Sequence, residues 1–387
     1  MNIKEIKRKL LLEIEKLKSP TGYLNAGCPR YNTLFGRDSL ISAWQMLEID
    51  PLIAKATLKI LAKYQGKNVD PKSEEELGKI LHEHRFTHEE QRELPSWKFP
   101  YYGSVDSTPL FMFLAARYLR KTGDKPFVIK IMKNVSAAYS WIKGSGDLDG
   151  DGYVEYERKN PYGLFHQGWK DGVKDHLRIK PPVAIVEVQG YVYAAYQSLK
   201  FLLKKIAGKV PDDLSLKRKE LKFKFNRDFW MEKEKFFALA LDGKKKQRKA
   251  VTSNPGHLLF TGIVSKNKVK QLVSRLFKQD LWTPYGIRTH SSLEPDFDPY
   301  NPHLRCVWPH DNWIIYKGLQ KLGFLIHAER IKEALLRTYK KLGKIPEFYA
   351  VVNDKIVDMS IPKSGRPLSN PLQAWGSAGL LEMIWSD

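Results

Sequence analysis

At 387 residues and 42% hydrophobic content the chain can bury a large core, and no apolar run approaches the roughly 20 residues that span a bilayer. A formal charge of +22 raises a polyanionic partner, but the basic residues are spread along helix-forming stretches, so they read as solvated faces and no nucleic acid is expected. Two cysteines, Cys28 and Cys306, exclude a disulfide framework and a thiolate metal cluster, and a soluble protein of a reducing, cytoplasmic compartment is expected.

Residues 1–18 carry charge throughout, unlike an ordinary signal peptide, and Ile3, Ile6, Leu10, Ile14 and Leu17 form a helical stripe. The run F-G-R-D-S-L-I-S-A-W follows, with Asp38 or Ser39 expected to cap a helix reaching Glu48. A second helix over 51–65 starts at Pro51 and stops at Gly66. The loop 67–106 is long enough to be read as functional. Helices over 109–121 and 126–143 are closed by Gly123 and Gly144. Beyond the acidic turn at 147–152 come a polar and aromatic loop, 163–176, and a helix over 189–207. Another helix covers 214–229, and 236–241 is expected to pair with 250–253 as a hairpin around the basic run 244–249. Further helices are predicted over 257–263, 268–277, 311–322, 325–342 and 372–384. About twelve helices result, with long loops at 67–106, 144–187, 280–310 and 343–370 and no linker that divides the chain. This pattern predicts an all-α fold, an α/α toroid built as a single domain over 1–387, whose loops line the mouth of a cup.

The loop G-L-F-H-Q-G-W-K-D-G-V-K-D-H at 163–176 is a poor helix and a poor strand. Gly168 and Gly172 permit tight turns that present Gln167, Trp169, Lys170 and Asp171 at a rim. A carboxylate desolvated against an indole has a raised pKa, as a general acid needs, which makes Asp171 the first catalytic candidate. The competing structural reading has Trp169 cap a core and Asp171 cap a helix. Arg37 and Asp38 can grip adjacent hydroxyls or form a structural salt bridge. Trp308, His310 and Asp311 offer a stacking ring with polar neighbours, or a helix cap behind a core Trp. Glu347 stands between Pro346 and two aromatics, where a carboxylate can be held with little water. The aromatic share of 12% suits stacking on sugar rings.

Together these segments resemble the catalytic domain of the amylo-α-1,6-glucosidase, or glycogen-debranching, family and its glucoamylase-like relatives. The matching stretches are F-G-R-D-S-L-I-S at 35–42, G-K-I-L-H-E-H-R at 78–85, Y-Y-G-S-V-D-S-T-P-L-F at 101–111, D-L-D-G-D-G at 147–152 and Q-G-W-K-D at 167–171. V-E-V-Q-G-Y-V-Y-A-A at 186–195, Y-G-I-R-T at 285–289, V-W-P-H-D-N at 307–312 and P-L-Q-A-W-G at 371–376 complete the set in family order.

The resemblance implies an (α/α)6 barrel and an inverting exo-acting α-glucosidase without organic cofactor, acting on α-1,6 branch stubs of an oligosaccharide or polysaccharide. Asp171 matches the family's acid and Glu347 its base; Arg37, Asp38 and Trp375 match groups that hold the terminal glucose. Trp169, Lys170, Gln167, Glu187, Gln189, Trp308, His310 and Asp311 are implied substrate-binding residues. The late loop here reads Ile345-Pro346-Glu347-Phe348-Tyr349 where the family has Leu-Pro-Glu-Leu-Phe, and the residues given hold no counterpart of the family's β-rich or transferase domains. Asp175 and Glu155 are alternative acids. No metal is expected, with calcium at Asp147, Asp149 and Asp151 as a minor alternative, because Arg158 replaces the bidentate Glu of an EF-hand loop. The remaining alternatives are another α/α-toroid glycosidase (glucoamylase, trehalase or glycosylglycerate hydrolase) and a catalytically inactive carbohydrate-binding protein.

Overall fold

The computed structural model describes residues 2–298 and 300–386. Among them lie thirteen α-helices: α1 (Ile3–Leu17), α2 (Gly36–Gln45), α3 (Pro51–Lys63), α4 (His88–Arg92), α5 (Ser107–Thr122), α6 (Lys125–Lys143) and α7 (Val186–Ile206), then α8 (Asp212–Asp228), α9 (Leu258–Thr261), α10 (Lys266–Leu276), α11 (Pro309–Lys321), α12 (Leu325–Leu342) and α13 (Ala374–Met383). Local chemistry sets many of the ends. Asn2, Asp50 and Asp124 side chains accept from first-turn amides of α1, α3 and α6, while Gly123, Gly262 and Gly343 end α5, α9 and α12 in the left-handed region.

All but α4 alternate between two rings. The inner ring α2, α5, α7, α9, α11, α13 closes on itself, each helix touching the next and α13 returning to α2. The outer ring α1, α3, α6, α8, α10, α12 packs around it. This is an (α/α)6 toroid, as the sequence predicts. The sequence assigns each ring by pattern: all ten residues of α2 are buried, whereas α1 buries only Ile6, Leu10, Ile14 and Leu17. Near the barrel axis Trp44 of α2 meets Phe113 of α5, Phe260 of α9 and Trp313 of α11, with ring centroids 4.7–4.9 Å apart.

Three expectations shift. The basic run is indeed the turn of a hairpin, but the paired strands are Ala240–Leu241 and Gln247–Arg248; residue 252 bridges to His290 instead. Neither Asp38 nor Ser39 caps α2, and Asp311 does not cap α11: these helices begin earlier, after Phe35 and Trp308, so both Asp residues sit inside the first turn. The loop 67–106 also holds the short helix α4, closed by a reciprocal capping box between Thr87 and Glu90.

Short antiparallel strands tie the rim loops to the starts of inner helices. Leu34–Phe35 pairs with Glu83–His84 before α2, Ala184–Ile185 with Ala240–Leu241 before α7, and Leu372–Gln373 with Gly27–Cys28 before α13. No described helix is long and apolar enough to cross a membrane.

The inner ring is tight where α11 crosses α9. A Cβ on Gly318 would lie 2.4 Å from Leu259 Cβ and 2.8 Å from the Phe260 amide nitrogen, so Gly318→Ala is expected to lower the melting temperature, at a cost of about 1–3 kcal/mol. An unchanged thermal melt would show that these helices separate freely.

Candidate active site

A cavity of about 310 Å³ opens at the N-terminal ends of α2, α11 and α13. Phe35, Arg37 and Asp38 reach it from the start of α2, and Trp169 and Asp171 from the loop after α6. Trp308 closes one side, and Glu347, Gln373 and Trp375 come from the last rim loop and the start of α13. The loop 67–106 adds His82, Glu83, Arg85 and Trp97.

Asp171 is delivered by a tight loop pinched between His166 and Gly172, whose backbones exchange hydrogen bonds. The turn points its indole inward: Trp169 is 1% exposed and packs edge-on against His310, with centroids 5.0 Å apart. Asp171 stays half-buried, and its Oδ2 accepts from Arg37 Nη2. Arg37 Nη1 donates to Asp106 Oδ2 and to the Gly168 carbonyl, each at 2.9 Å. Asp106 is fully buried and also accepts from the Ser104 hydroxyl. The guanidinium therefore joins α2, the start of α5 and the Asp171 loop. Burial raises the Asp171 carboxyl above the usual carboxylate range, against the downward pull of Arg37.

Glu347, which also lines the cavity, is held by a reciprocal contact with the Asn370 backbone: its amide donates to the Asn370 carbonyl, and the Asn370 amide donates to its Oε2, each at 3.0 Å. Burial pushes its carboxyl up to about 7. Burial likewise pushes Asp38, which accepts from Gln373 Nε2 at 3.1 Å, up to about 8, and Glu83 up to about 6. The cavity thus gathers carboxyl groups whose proton affinity burial has raised, a condition that favours acid and base chemistry in one place.

Of the residues implied by resemblance, Arg37, Asp38, Trp169, Asp171, Trp308, Glu347 and Trp375 meet in this cavity. Six others do not line it. Gln167 Nε2 donates to Glu74 and Lys170 Nζ to the Thr289 carbonyl; Gln189 bonds both backbone groups of Val154. Asp311 accepts from His257 at 2.8 Å, and the His310 ring stacks on Trp375 at 3.8 Å. Glu187 is fully buried, with its carboxyl pushed up to about 7 by desolvation.

The alternative acids lie elsewhere. Asp175 accepts from His166 Nε2 and the Ile179 amide, and Glu155 from Lys245. Lys245 Nζ also lies 2.7 Å from Asp149 and 3.0 Å from Asp151, so the acidic turn that invites a calcium reading already holds a cation from the basic hairpin. His82, Glu83, Arg85 and Trp97 were not singled out from sequence, although the first three lie within the quoted stretch at 78–85.

A family model described as the mannosylglycerate hydrolase MGH1-like glycoside hydrolase domain matches residues 31–356. No curated protein matches the chain. Among solved structures, the GH63 mannosylglycerate hydrolase from Thermus thermophilus in complex with Tris is 15% identical, with a TM-score of 0.73 over 99% of this chain and 100% of that one. The same hydrolase with Tris and D-glycerate, at 14% identity, and with glucose, at 15%, both align with a TM-score of 0.72 over 99% of this chain and 100% of theirs. These likenesses support a six-hairpin glycosidase and do not support the amylo-α-1,6-glucosidase identity that the motifs suggest.

Arg37→Gln leaves the buried Asp106 without its cation. We expect a loss of about 3–5 kcal/mol in urea unfolding, partly restored by adding Asp106→Asn, because the pair fails together. Additive losses would show that the two residues do not depend on each other.

Proposed function

We propose a substrate and a mechanism from one premise: the chain belongs to the mannosylglycerate hydrolase MGH1-like glycoside hydrolase family. On our reading the enzyme hydrolyses the α-glycosidic bond of a small sugar–glycerate conjugate, an α-mannosyl- or α-glucosylglycerate, with inversion. The observation that carries this reading is the cavity itself. Its volume of about 310 Å³ suits one sugar ring with a small aglycone, and two carboxyl groups of raised pKa, Asp171 and Glu347, line it.

In this mechanism Asp171 is the general acid. Arg37 fixes Oδ2, and the protonated carboxyl gives its proton to the glycosidic oxygen as the bond to the anomeric carbon breaks. Glu347 is the base: as a carboxylate it takes a proton from the water that attacks the anomeric carbon from the opposite face. Trp308 and Trp375 offer apolar faces to the sugar ring, and Asp38, at the base of the cavity beside Arg37, accepts from or donates to its hydroxyls. The cavity's lining cations are Arg37 and Arg85. Both are paired, Arg37 through Nη1 and Nη2 with Asp106 and Asp171, and Arg85 through Nε and Nη1 with Glu83, Glu93 and the Glu90 carbonyl. In this reading Nη2 of Arg85, which has no partner among the described residues, faces a glycerate carboxylate.

The order of the sequence motifs favours a second reading, hydrolysis of α-1,6-glucosidic stubs. Both readings are separated by following sugar release from α-mannosylglycerate, α-glucosylglycerate, isomaltose and panose, with the product anomer read by NMR. The β-anomer from a glycerate conjugate is the expected result; exclusive turnover of panose or isomaltose would favour the second.

Asp171→Asn and Glu347→Gln should each lower kcat by about 10²–10⁴-fold while substrate still binds. Because Glu347 acts ionised, kcat/KM should fall as pH drops through about 7. An acid limb well below that value would remove Glu347 from the base role. Arg85→Gln should raise KM for the glycerate conjugate about tenfold or more and leave an uncharged aryl α-glycoside unaffected, as loss of one charge-assisted hydrogen bond implies.

A further inference from the structure

A second cavity, of about 460 Å³, opens at the opposite end of the barrel. There α2 ends at Trp44 and Gln45, whereas Arg37 and Asp38 stand at its active-site end; α11 likewise runs from Trp308 at one cavity to Lys317 and Lys321 at the other. Four cations line this far cavity, Arg117 and Arg120 from α5 and Lys317 and Lys321 from α11, and no carboxylate does. Its inner wall is aromatic, made by Trp44, Phe113 and Phe260.

Helix C-termini attract cations, and that accounts for part of the set. Lys321 Nζ donates to the Phe260 carbonyl at 2.6 Å, near the end of α9. Lys317 is paired with Glu382 at 2.7 Å, and the Arg120 guanidinium lies over the Phe201 ring at 4.1 Å. Arg117 is different. It is half-buried, stands more than a turn before the end of α5, and no carboxylate or carbonyl among the described residues accepts from it. The nearby acids are committed elsewhere, Glu48 to Lys121 and Glu382 to Lys317 and the Trp313 indole. Burial and the charge of Arg120 depress the Arg117 guanidinium, and burial with both arginines depresses Lys321. A partly desolvated guanidinium beside a like charge gains when an anion arrives.

We propose that this far cavity is a binding site for a phosphorylated small molecule, distinct from the substrate site. Two guanidiniums one helical turn apart suit the oxygens of a phosphoryl group, the two lysines suit a second, and the aromatic wall suits a flat apolar body beside them. Lys317 is already paired with Glu382, and a singly charged carboxylate would match only one of the remaining three cations; the volume also exceeds what one carboxylate needs.

The test is calorimetric titration of the whole enzyme with inorganic pyrophosphate and with ADP, against sodium chloride at matched ionic strength. Both probes should bind, and ADP should bind more tightly if its ring packs on the aromatic wall. Arg117→Gln should weaken both about tenfold or more, and Arg120→Gln, at an exposed position, should weaken them too. Hydrolytic kinetics should stay as in the parent. The unliganded Arg117→Gln protein should melt no lower than the parent, because repulsion is relieved. Failure of both probes to bind, or binding that neither variant weakens, overturns the proposal.

Discussion

The cup depends on one buried guanidinium. Arg37 is drawn from water into a position where Asp106, the Gly168 carbonyl and Asp171 all accept from it. Isolated burial of that charge would be prohibitive, and so would burial of Asp106 alone; each makes the other tolerable. The result is geometric. The first turn of α2, the segment leading into α5 and the loop that carries Asp171 cannot shift independently, so the acid candidate is held by a tie between two inner helices.

The same desolvation sets the chemistry of the cavity. Carboxyl groups that would be ionised in water are pushed toward neutral pKa values at Glu347, Asp38 and Glu83, each against the downward pull of a nearby arginine. A toroid supplies this environment by construction. Its inner helices are buried on nearly all sides, their first turns converge at one end, and the rim loops cover that end with Trp169, Trp308 and Trp375. In the glycosidase reading, the proton donor and the water-activating group then differ chiefly in partner: Asp171 leans on Arg37, and Glu347 on the backbone of Asn370.

The excess of positive charge has several structural origins. Outer helices such as α8 and α12 carry lysine and arginine on solvated faces, and Lys245 reaches from the hairpin turn into the acidic turn at 147–152. At the far end of the barrel the charges converge instead of dispersing, because α5 and α11 bring residues widely separated in sequence to one cavity. Composition registers the sum of these contributions and is blind to their placement.

The sequence by itself determined the helices and their alternation. Burial stripes such as Ile6, Leu10, Ile14 and Leu17, with stops at Gly123 and Gly144, are local signals, so most helices lie within a few residues of the predicted bounds. It also picked out Asp171, Glu347, Arg37 and Asp38, because carboxylates and a guanidinium among aromatics and glycines are unusual at helix starts and in loops. Tertiary structure alone decided which residues face the cavity. Within the loop at 163–176, Trp169 and Asp171 reach it while Gln167 and Lys170 turn away, and that choice follows from the pinch between His166 and Gly172 and from partners at Glu74 and Thr289. Likewise His82, Glu83 and Arg85 gain a role only because Glu83–His84 pairs with Leu34–Phe35 at the mouth of α2. Helix periodicity is carried by neighbours along the chain, whereas the direction of a loop side chain is set by contacts with residues far away in it, and no spacing within the loop encodes those.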